Sequence, residues 1–382
     1  MVEFCSVGSL LERKRTKAKG RYNNAPVYAV TNNRGFVLST SMHDFDIFSE
    51  DTSNYMVVSK NDFAYNPSRL NVGSIAYFKE DGNGLISPMY VVFHANENKV
   101  LTEYLYIAIK SEYVRNKIDA LKEVGARFRF DFNRWDLIQI PIPSLEEQTR
   151  IVGILDTFTA SIDNLKEQIA QRRKQYAYYR DQLLDLEGKE GVETKTLGEV
   201  GEFIRGNGIQ KSDFIEEGFD CIHYGQIHAK YGFSATKAIS KISEDLYRRC
   251  KKARKGDVVL ATTSEDAEGV AKPFVWLGDE DAAVSGDAFI FHHNQIGKFM
   301  GYQFLTHKFM QFKVKYAAGA KVVRISGDNM AKFKVALPPI SEQQRIVSIL
   351  DTFEASIQNL EAQLSQREKQ YEYYRNKLLT FE

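Results

Sequence analysis

The chain has little of what a membrane, secreted or catalytic protein needs. None of its 382 residues falls in an apolar run approaching the roughly 18 positions that a membrane-crossing helix requires. No apolar stretch with a cleavage site stands at its start. These absences predict a soluble, cytoplasmic protein with no membrane partner. Three cysteines without paired spacing exclude a disulfide framework and fit a reducing compartment. Net charge is nearly missing as well: 51 basic against 50 acidic side chains leave +1, which argues against a generic polyanion binder.

Catalytic motifs are missing too. There is no Walker A sequence to cradle ATP phosphates. A DNA methyltransferase would need a Gly-rich cofactor turn and an Asn/Asp-Pro-Pro-aromatic loop. Tyr65-Asn66-Pro67-Ser68 lacks the second Pro and the aromatic. Cys221, His223 and His228 match no zinc spacing and lack a fourth ligand; ordinary strand and loop roles explain them better. Glu265, Asp266 and Glu268 cluster without the strand-borne Asp and Lys of a metal-dependent nuclease. The expectation is a binding protein with no catalytic residue, metal or cofactor.

What is present is a repetition. Residues 147–187 return as 342–382 at a constant offset of 195, with 27 of 41 positions identical. Ile-Leu-Asp-Thr-Phe (154–158 and 349–353) and Tyr-Tyr-Arg (178–180 and 373–375) are among the shared strings. An ungapped match of this length marks a tandem duplication. Within each copy the seam residues step alternately by four and three: Ile151, Leu155, Phe158, Ile162, Leu165, Ile169, Arg172, Tyr176, Tyr179, Leu183, Leu186, and likewise from Ile346 to Phe381. That is the heptad period at which two helices wind together. A single amphipathic helix lying on its own domain is the plainer explanation. Two matching seams in one chain favour an antiparallel intramolecular coiled coil, each helix roughly 60 Å long at about 1.5 Å per residue. Ser144 and Ser341 are the expected N-caps. Arg172 and Arg367 occupy equivalent seam positions, where a charge fixes register if a carboxylate or carbonyl receives it.

The duplication continues more faintly outside the helices. Val7-Gly8 answers Leu197-Gly198, Val72-Gly73-Ser74-Ile75 answers Lys255-Gly256-Asp257-Val258, and Gly125-Ala126-Arg127 answers Gly319-Ala320-Lys321. Short strands are expected at 27–30, 75–78, 90–93, 258–261, 288–291 and 332–337, with helical patterns over 101–121 and 297–316. The fold class is α+β: two mixed domains, each followed by a long helix, in a pseudo-two-fold tandem repeat. Two basic clusters stand out, Arg13–Arg21 and Arg248–Lys255, one in each half. Such runs are usually solvated faces; a pair of them also suits phosphate contact. The helices are nearly identical while the domains have diverged, so the chain needs one scaffold twice and two different surfaces.

These passages resemble the specificity subunits of type I restriction–modification systems over essentially the whole chain. The resemblance is carried by Pro141-Ile142-Pro143 through Arg150-Ile151-Val152, echoed by Pro338 through Val347. It is also carried by Phe63 through Ser74, and by Lys255 through Ser264 with Ala283 through Asp287. It implies target-recognition domains at 1–143 and 188–338, and conserved spacer helices at 144–187 and 339–382. Each domain would read one half of a bipartite, asymmetric site on double-stranded DNA. Two modification subunits would dock on the helices, and two restriction subunits would add translocation and cleavage. The N-terminal stretch Val2–Leu10 matches the second half at only a few positions. Expected DNA contacts are Asn66, Arg69, Asn71 and Arg127 in the first domain, and Tyr224, Gln226, Thr262, Thr263, Lys272 and Lys321 in the second. Polar or basic residues on glycine-bounded loops suit base edges and phosphates; Asn66 and Asn71 would equally serve to cap turns. A coiled-coil adaptor, a DNA-modifying enzyme and a DNA-binding scaffold of another methyltransferase system are the alternatives. Diverged strand-rich domains argue against the first, and the missing cofactor loop against the second.

Overall fold

The computed structural model describes residues 2–19, 21–22, 25–41, 51–121, 128–319 and 322–381. Its contacts define two compact units, Met1–Lys166 with Ala362–Glu382, and Glu167–Glu361. Each unit holds one mixed domain and parts of both long helices, Leu145–Leu184 and Ile340–Leu378.

In the first unit, one four-stranded sheet runs in the order Leu11–Lys14, Val91–Ala95, Phe63–Tyr65, Ile75–Tyr77. A second sheet runs Gly35–Leu38, Val27–Thr31, Asn83–Ile86, Met56–Ser59. The helical stretch expected at 101–121 is two helices, Thr102–Ile109 and Glu112–Ala120, broken where Ser111 caps the second. In the second unit, a five-stranded sheet runs Gly201–Arg205, Ala288–His293, Val258–Ala261, Lys272–Trp276, Ser234–Ala235. Beside it lies a four-stranded sheet, Ser240–Ile242, Phe219–Ile222, Ala282–Val284, Lys252–Ala253. The pattern at 297–316 is again two helices, Gly297–Gln303 and His307–Tyr316, the latter capped by Thr306.

The two domains close in the same way. A two-stranded antiparallel ribbon joins Glu3–Ser6 to Gln139–Ile142 in one, and Glu193–Thr196 to Lys334–Leu337 in the other. The Val7 and Leu197 amides donate to the Ile138 and Phe333 carbonyls, each at 2.8 Å, so the expected match of Val7 with Leu197 holds. The chain then enters the long helix through a buried glutamine. Gln148 accepts from the Leu101 amide (2.8 Å) and donates to the Pro143 carbonyl (2.9 Å). Gln343 accepts from the Ile296 amide (3.2 Å) and donates to the Pro338 carbonyl (2.9 Å). Both side chains are buried, so leaving these groups unpaired would cost about 1–3 kcal/mol each. Below this entry, Ile151 and Leu155 join the first core, and Ile346 and Leu350 the second.

Ser144 caps its helix as expected, accepting from the Glu147 amide at 3.3 Å. Ser341 does not. The second helix already begins at Ile340, and the Pro339 carbonyl takes the Glu342 and Gln343 amides at 2.9 and 3.1 Å. The offset of 195 sets Pro339, not Ser341, opposite Ser144.

The helices pair antiparallel within each unit. In the first, Phe158 lies 5.3 Å from Tyr374 between ring centroids, and Lys166 is 3.9 Å from Glu368. In the second, Tyr179 lies 5.5 Å from Phe353, and Arg173 is 2.6 Å from Glu361. The two sets are one contact pattern seen twice, because 158 and 353, and 179 and 374, differ by 195. Among the described residues Arg367 pairs with no carboxylate; its guanidinium rests 5.7 Å from the Phe158 ring centroid, a cation–π placement.

One expected correspondence between the domains is corrected. Gly73 leads into the edge strand Ile75–Tyr77, whereas Gly256 leads into Val258–Ala261, which has a partner on both sides. The true counterpart of Lys255-Gly256-Asp257 is Lys60-Asn61-Asp62. The Asn61 and Gly256 amides donate to the Phe78 and Trp276 carbonyls at 2.9 and 2.7 Å. Asp62 and Asp257 accept from the Ser59 and Arg254 amides at 2.8 and 2.6 Å. Each aspartate also meets a histidine of the neighbouring strand, His94 at 3.1 Å and His292 at 2.6 Å. The turn needs a left-handed residue, with φ of 68° at Asn61 and 96° at Gly256. Asparagine tolerates that conformation nearly as glycine does.

Candidate nucleic-acid interface

This correspondence fixes which surfaces of the two domains are alike. Glu12 pairs with His94, and Glu202 with His292. From that shared register, the ends of Phe63–Tyr65 and Val258–Ala261 carry Asn66 and Thr262 to the same edge of their sheets. Of the described residues expected from sequence, several stand at this edge, but not all of them face outward.

In the first domain, Asn66 shapes its turn: Oδ1 accepts from the Ser68 amide at 2.9 Å, and its carbonyl takes the Arg69 amide at 3.0 Å. The turn-capping role is therefore real, while Nδ2 faces the Met89 sulfur at 3.8 Å. Arg69 is exposed and precedes the short 3-10 helix Leu70–Val72, where Asn71 is half-buried. Arg127 lies outside the described residues. The first basic cluster starts at this edge, where Arg15 follows the strand Leu11–Lys14, and then leads away from it. Lys14 pairs with Asp62, Arg13 sits 5.6 Å from the Phe132 ring centroid, and Lys17 donates to Asn54 at 3.3 Å. Arg15, Lys19 and Arg21 are exposed.

In the second domain, Tyr224 opens the helix Tyr224–Ala229, its amide held by Ser285 Oγ at 2.9 Å. Thr263 is half-buried; its Oγ1 donates to Asp287 at 3.2 Å, and its strand pairs with Val323–Arg324. Gln226 and Thr262 depart from expectation: both are buried. Gln226 donates to Ser240 Oγ at 2.6 Å, and Thr262 Oγ1 donates to the Asp287 carbonyl at 3.3 Å. Lys272 also turns inward, donating to the His228 carbonyl at 3.1 Å, with its pKa lowered by burial. The His228 ring in turn lies 3.0 Å from the Thr263 carbonyl. Thr262 and Lys272 brace the loop that carries Thr263, and Gln226 holds Ser240, instead of presenting themselves at the edge. Lys321 lies outside the described residues.

The second basic cluster is largely spent. Arg248 pairs with Glu244, Lys255 pairs with Asp279 at 2.7 Å, and Lys252 lies 4.7 Å from the Tyr247 ring centroid. The Lys251 amide is fixed by Asn207 Oδ1 at 2.6 Å, next to a recess of about 420 Å³. Arg205, Gln210, Tyr224 and Asp287 line that recess. Sequence reasoning missed Arg205, Gln210, Asp287 and the exposed Arg324, because only strand register brings them to this edge. The metal alternative also meets ordinary structure. Cys221 is buried, its thiol pushed up to about 12, and His223 Nδ1 accepts from the Gly225 amide at 3.1 Å. Among the described residues, no helix is long and apolar enough to cross a membrane.

A family model of the type I restriction modification DNA specificity domain matches this chain twice, at residues 2–172 and 189–368. The specificity subunit of the type I restriction enzyme EcoR124I/EcoR124II from Escherichia coli is 31% identical over 310 residues, 77% of this chain and 74% of that one. The MjaVIII specificity subunit of Methanocaldococcus jannaschii is 24% identical over 356 residues, covering 87% and 81%. A solved chain from work on complex assembly and conformational transition of the type I R-M system shares the fold, with a TM-score of 0.63 at 17% identity over 99% of this chain and 97% of that one. The type I S subunit from M. genitalium does so with a TM-score of 0.54 at 14% identity, over 100% and 97%. With the family model matched in both halves, the repeated helices and the paired sheet edges are those of a type I restriction–modification specificity subunit, and the chain belongs to that family.

Proposed function

We propose that the chain is the non-catalytic subunit that gives a type I methyltransferase and endonuclease complex its DNA sequence. Each mixed domain reads one half of a bipartite site through its sheet edge, and the helix pair sets the unread gap. Two modification subunits dock on the helices, and two restriction subunits complete the complex. One observation carries this reading: equivalent sheet edges, built on the same register, bear different polar side chains in the two domains, while the helices repeat one contact pattern. The reading side chains are Asn66, Arg69 and Asn71 in the first domain and Tyr224 and Thr263 in the second, with Arg127 and Lys321 as phosphate contacts. Gln226, Thr262 and Lys272 support the second edge from below.

The ruler is tested by lengthening both helices together, because an insertion in one alone would shift the antiparallel register. One heptad between Ile162 and Ile169, with another between Ile357 and Leu364, keeps the seam and adds roughly 10 Å. Methylome sequencing of a host expressing the variant with its modification subunits should show a longer gap between unchanged half-sites. An unchanged gap would refute the ruler. A gel shift of the unaltered chain on random and cognate duplexes, with and without modification subunits, separates this function from that of an adaptor that binds no DNA.

A further inference from the structure

We propose that Arg205 reads a guanine in the half-site of the second domain, and that Arg15 occupies the equivalent reading position in the first. The inference rests on the sheet edges facing DNA, and names the side chain that discriminates there. The register is the starting point. Arg15 and Arg205 stand three residues beyond Glu12 and Glu202, which pair with the equivalent histidines His94 and His292. An exposed arginine has thus been kept at one topological position in two domains whose edges otherwise differ.

Arg205 is also held in a way that suits a base. Its Nε donates to the Gly286 carbonyl at 2.9 Å, and among the described residues its guanidinium forms no other hydrogen bond or ion pair. The two terminal nitrogens are left as a free fork, the geometry that matches O6 and N7 of guanine. The backbone behind it is clamped. The Gly206 amide donates to the Ala288 carbonyl at 3.0 Å and the Asn207 amide to the Val284 carbonyl at 2.9 Å. A Cβ on Gly206 would lie 2.3 Å from the Ser285 carbonyl oxygen, so only glycine permits this approach. Anchoring the planar fork in advance reduces the conformational entropy lost on contact. The neighbours argue for a base over a phosphate. Asp287 shares the recess with Arg205, and its carboxylate would repel a phosphate but can accept from a base amino group. Gln210 and Tyr224 add groups that both donate and accept.

The test uses the full chain expressed with its modification subunits. It is read by host methylome sequencing and by methylation of duplexes varied at each half-site position, at two salt concentrations. Arg205→Ala should relax one G·C position in one half-site, by roughly tenfold to hundredfold in preference for guanine, leaving the other half and the gap unchanged. Arg205→Lys keeps the cation without the fork and should relax the same position. Arg15→Ala should relax one position in the opposite half. A uniform loss at every site with an unaltered motif would mark a phosphate contact and overturn the proposal. An unaltered motif in Arg205→Lys would overturn it too, even if Arg205→Ala proved inactive. An unmutated complex that methylates no bipartite motif would instead defeat the DNA reading on which the proposal rests.

Discussion

The long helices and the sheet edges have followed opposite courses since the duplication. The helices kept 27 of 41 residues and one set of contacts; the edges kept a backbone register and few side chains. The exceptions within the helices are instructive. Lys166 in the first copy stands where Glu361 stands in the second, and Arg173 where Glu368 stands. The observed pairs, Lys166 with Glu368 and Arg173 with Glu361, are therefore attractive. The same register built from two first copies would set Lys166 against Arg173, and from two second copies Glu361 against Glu368. Opposed charge favours pairing of unlike copies over pairing of like ones. The scaffold is thus conserved in shape and differentiated in charge, while the sheet edges are conserved in shape and differentiated in hydrogen bonding.

The largest expected effect tests the conserved side of this comparison. Gln148→Ala would strand the Leu101 amide and the Lys99 and Pro143 carbonyls, costing about 3 kcal/mol in denaturant unfolding. Gln343→Ala should cost less, about 2 kcal/mol, because one of its three partners is the Gln295 side chain, which can turn to solvent. Equal and negligible losses would mean that the duplicated entry is not a structural lock.

The next effect separates the domains. His293 has burial as the main cause of a pKa lowered to about 4, and its Nε2 has no protein partner among the described residues. Its counterpart in the first domain is Ala95, next to His94. The unfolded chain takes up this proton near pH 6.5 and the folded chain only near pH 4. Stability is therefore complete above pH 6.5 and falls as the pH drops towards 4, by about 3 kcal/mol. Thermal unfolding across that window should show the loss in the second unit, and His293→Ala should flatten the slope whatever it does to stability at neutral pH.

How much was legible in the sequence follows the same divide. The helices were readable because the heptad and the repeat are local patterns; antiparallel pairing followed, and the contact of Phe158 with Tyr374 agrees with it. The first helix cap was legible; the second was lost because the proline pair starts that helix earlier. The turn at 60–62 was hidden because Asn61 takes the left-handed position that glycine fills at 256, so a search for glycine matched the wrong loop. Burial of Gln226 and Thr262 could not be read, because the groups they bond to, Ser240 and Asp287, are distant in sequence. Arg205 was missed for the complementary reason: a strand-end arginine gains meaning only once the turn before the neighbouring strand Ala288–His293 supplies Gly286.

A smaller effect tests the charge pattern of the helices. Lys166→Glu with Arg173→Glu gives the first copy the charges of the second and should destabilise the chain by on the order of 1 kcal/mol, since these pairs are exposed. Adding Glu361→Lys and Glu368→Arg should restore the loss. Denaturant midpoints of the double and quadruple variants decide it: no recovery would show that the charge exchange between the copies has no part in partner choice.

The central claim is that base choice resides in the domains, each acting alone, and spacing resides in the helices. Exchanging residues 192–338 for the matching domain of a relative, followed by methylome sequencing with the modification subunits present, tests it most directly. The account predicts a new sequence in one half of the methylated motif, with the other half and the gap unchanged. A change in both halves, or in the gap, would contradict it.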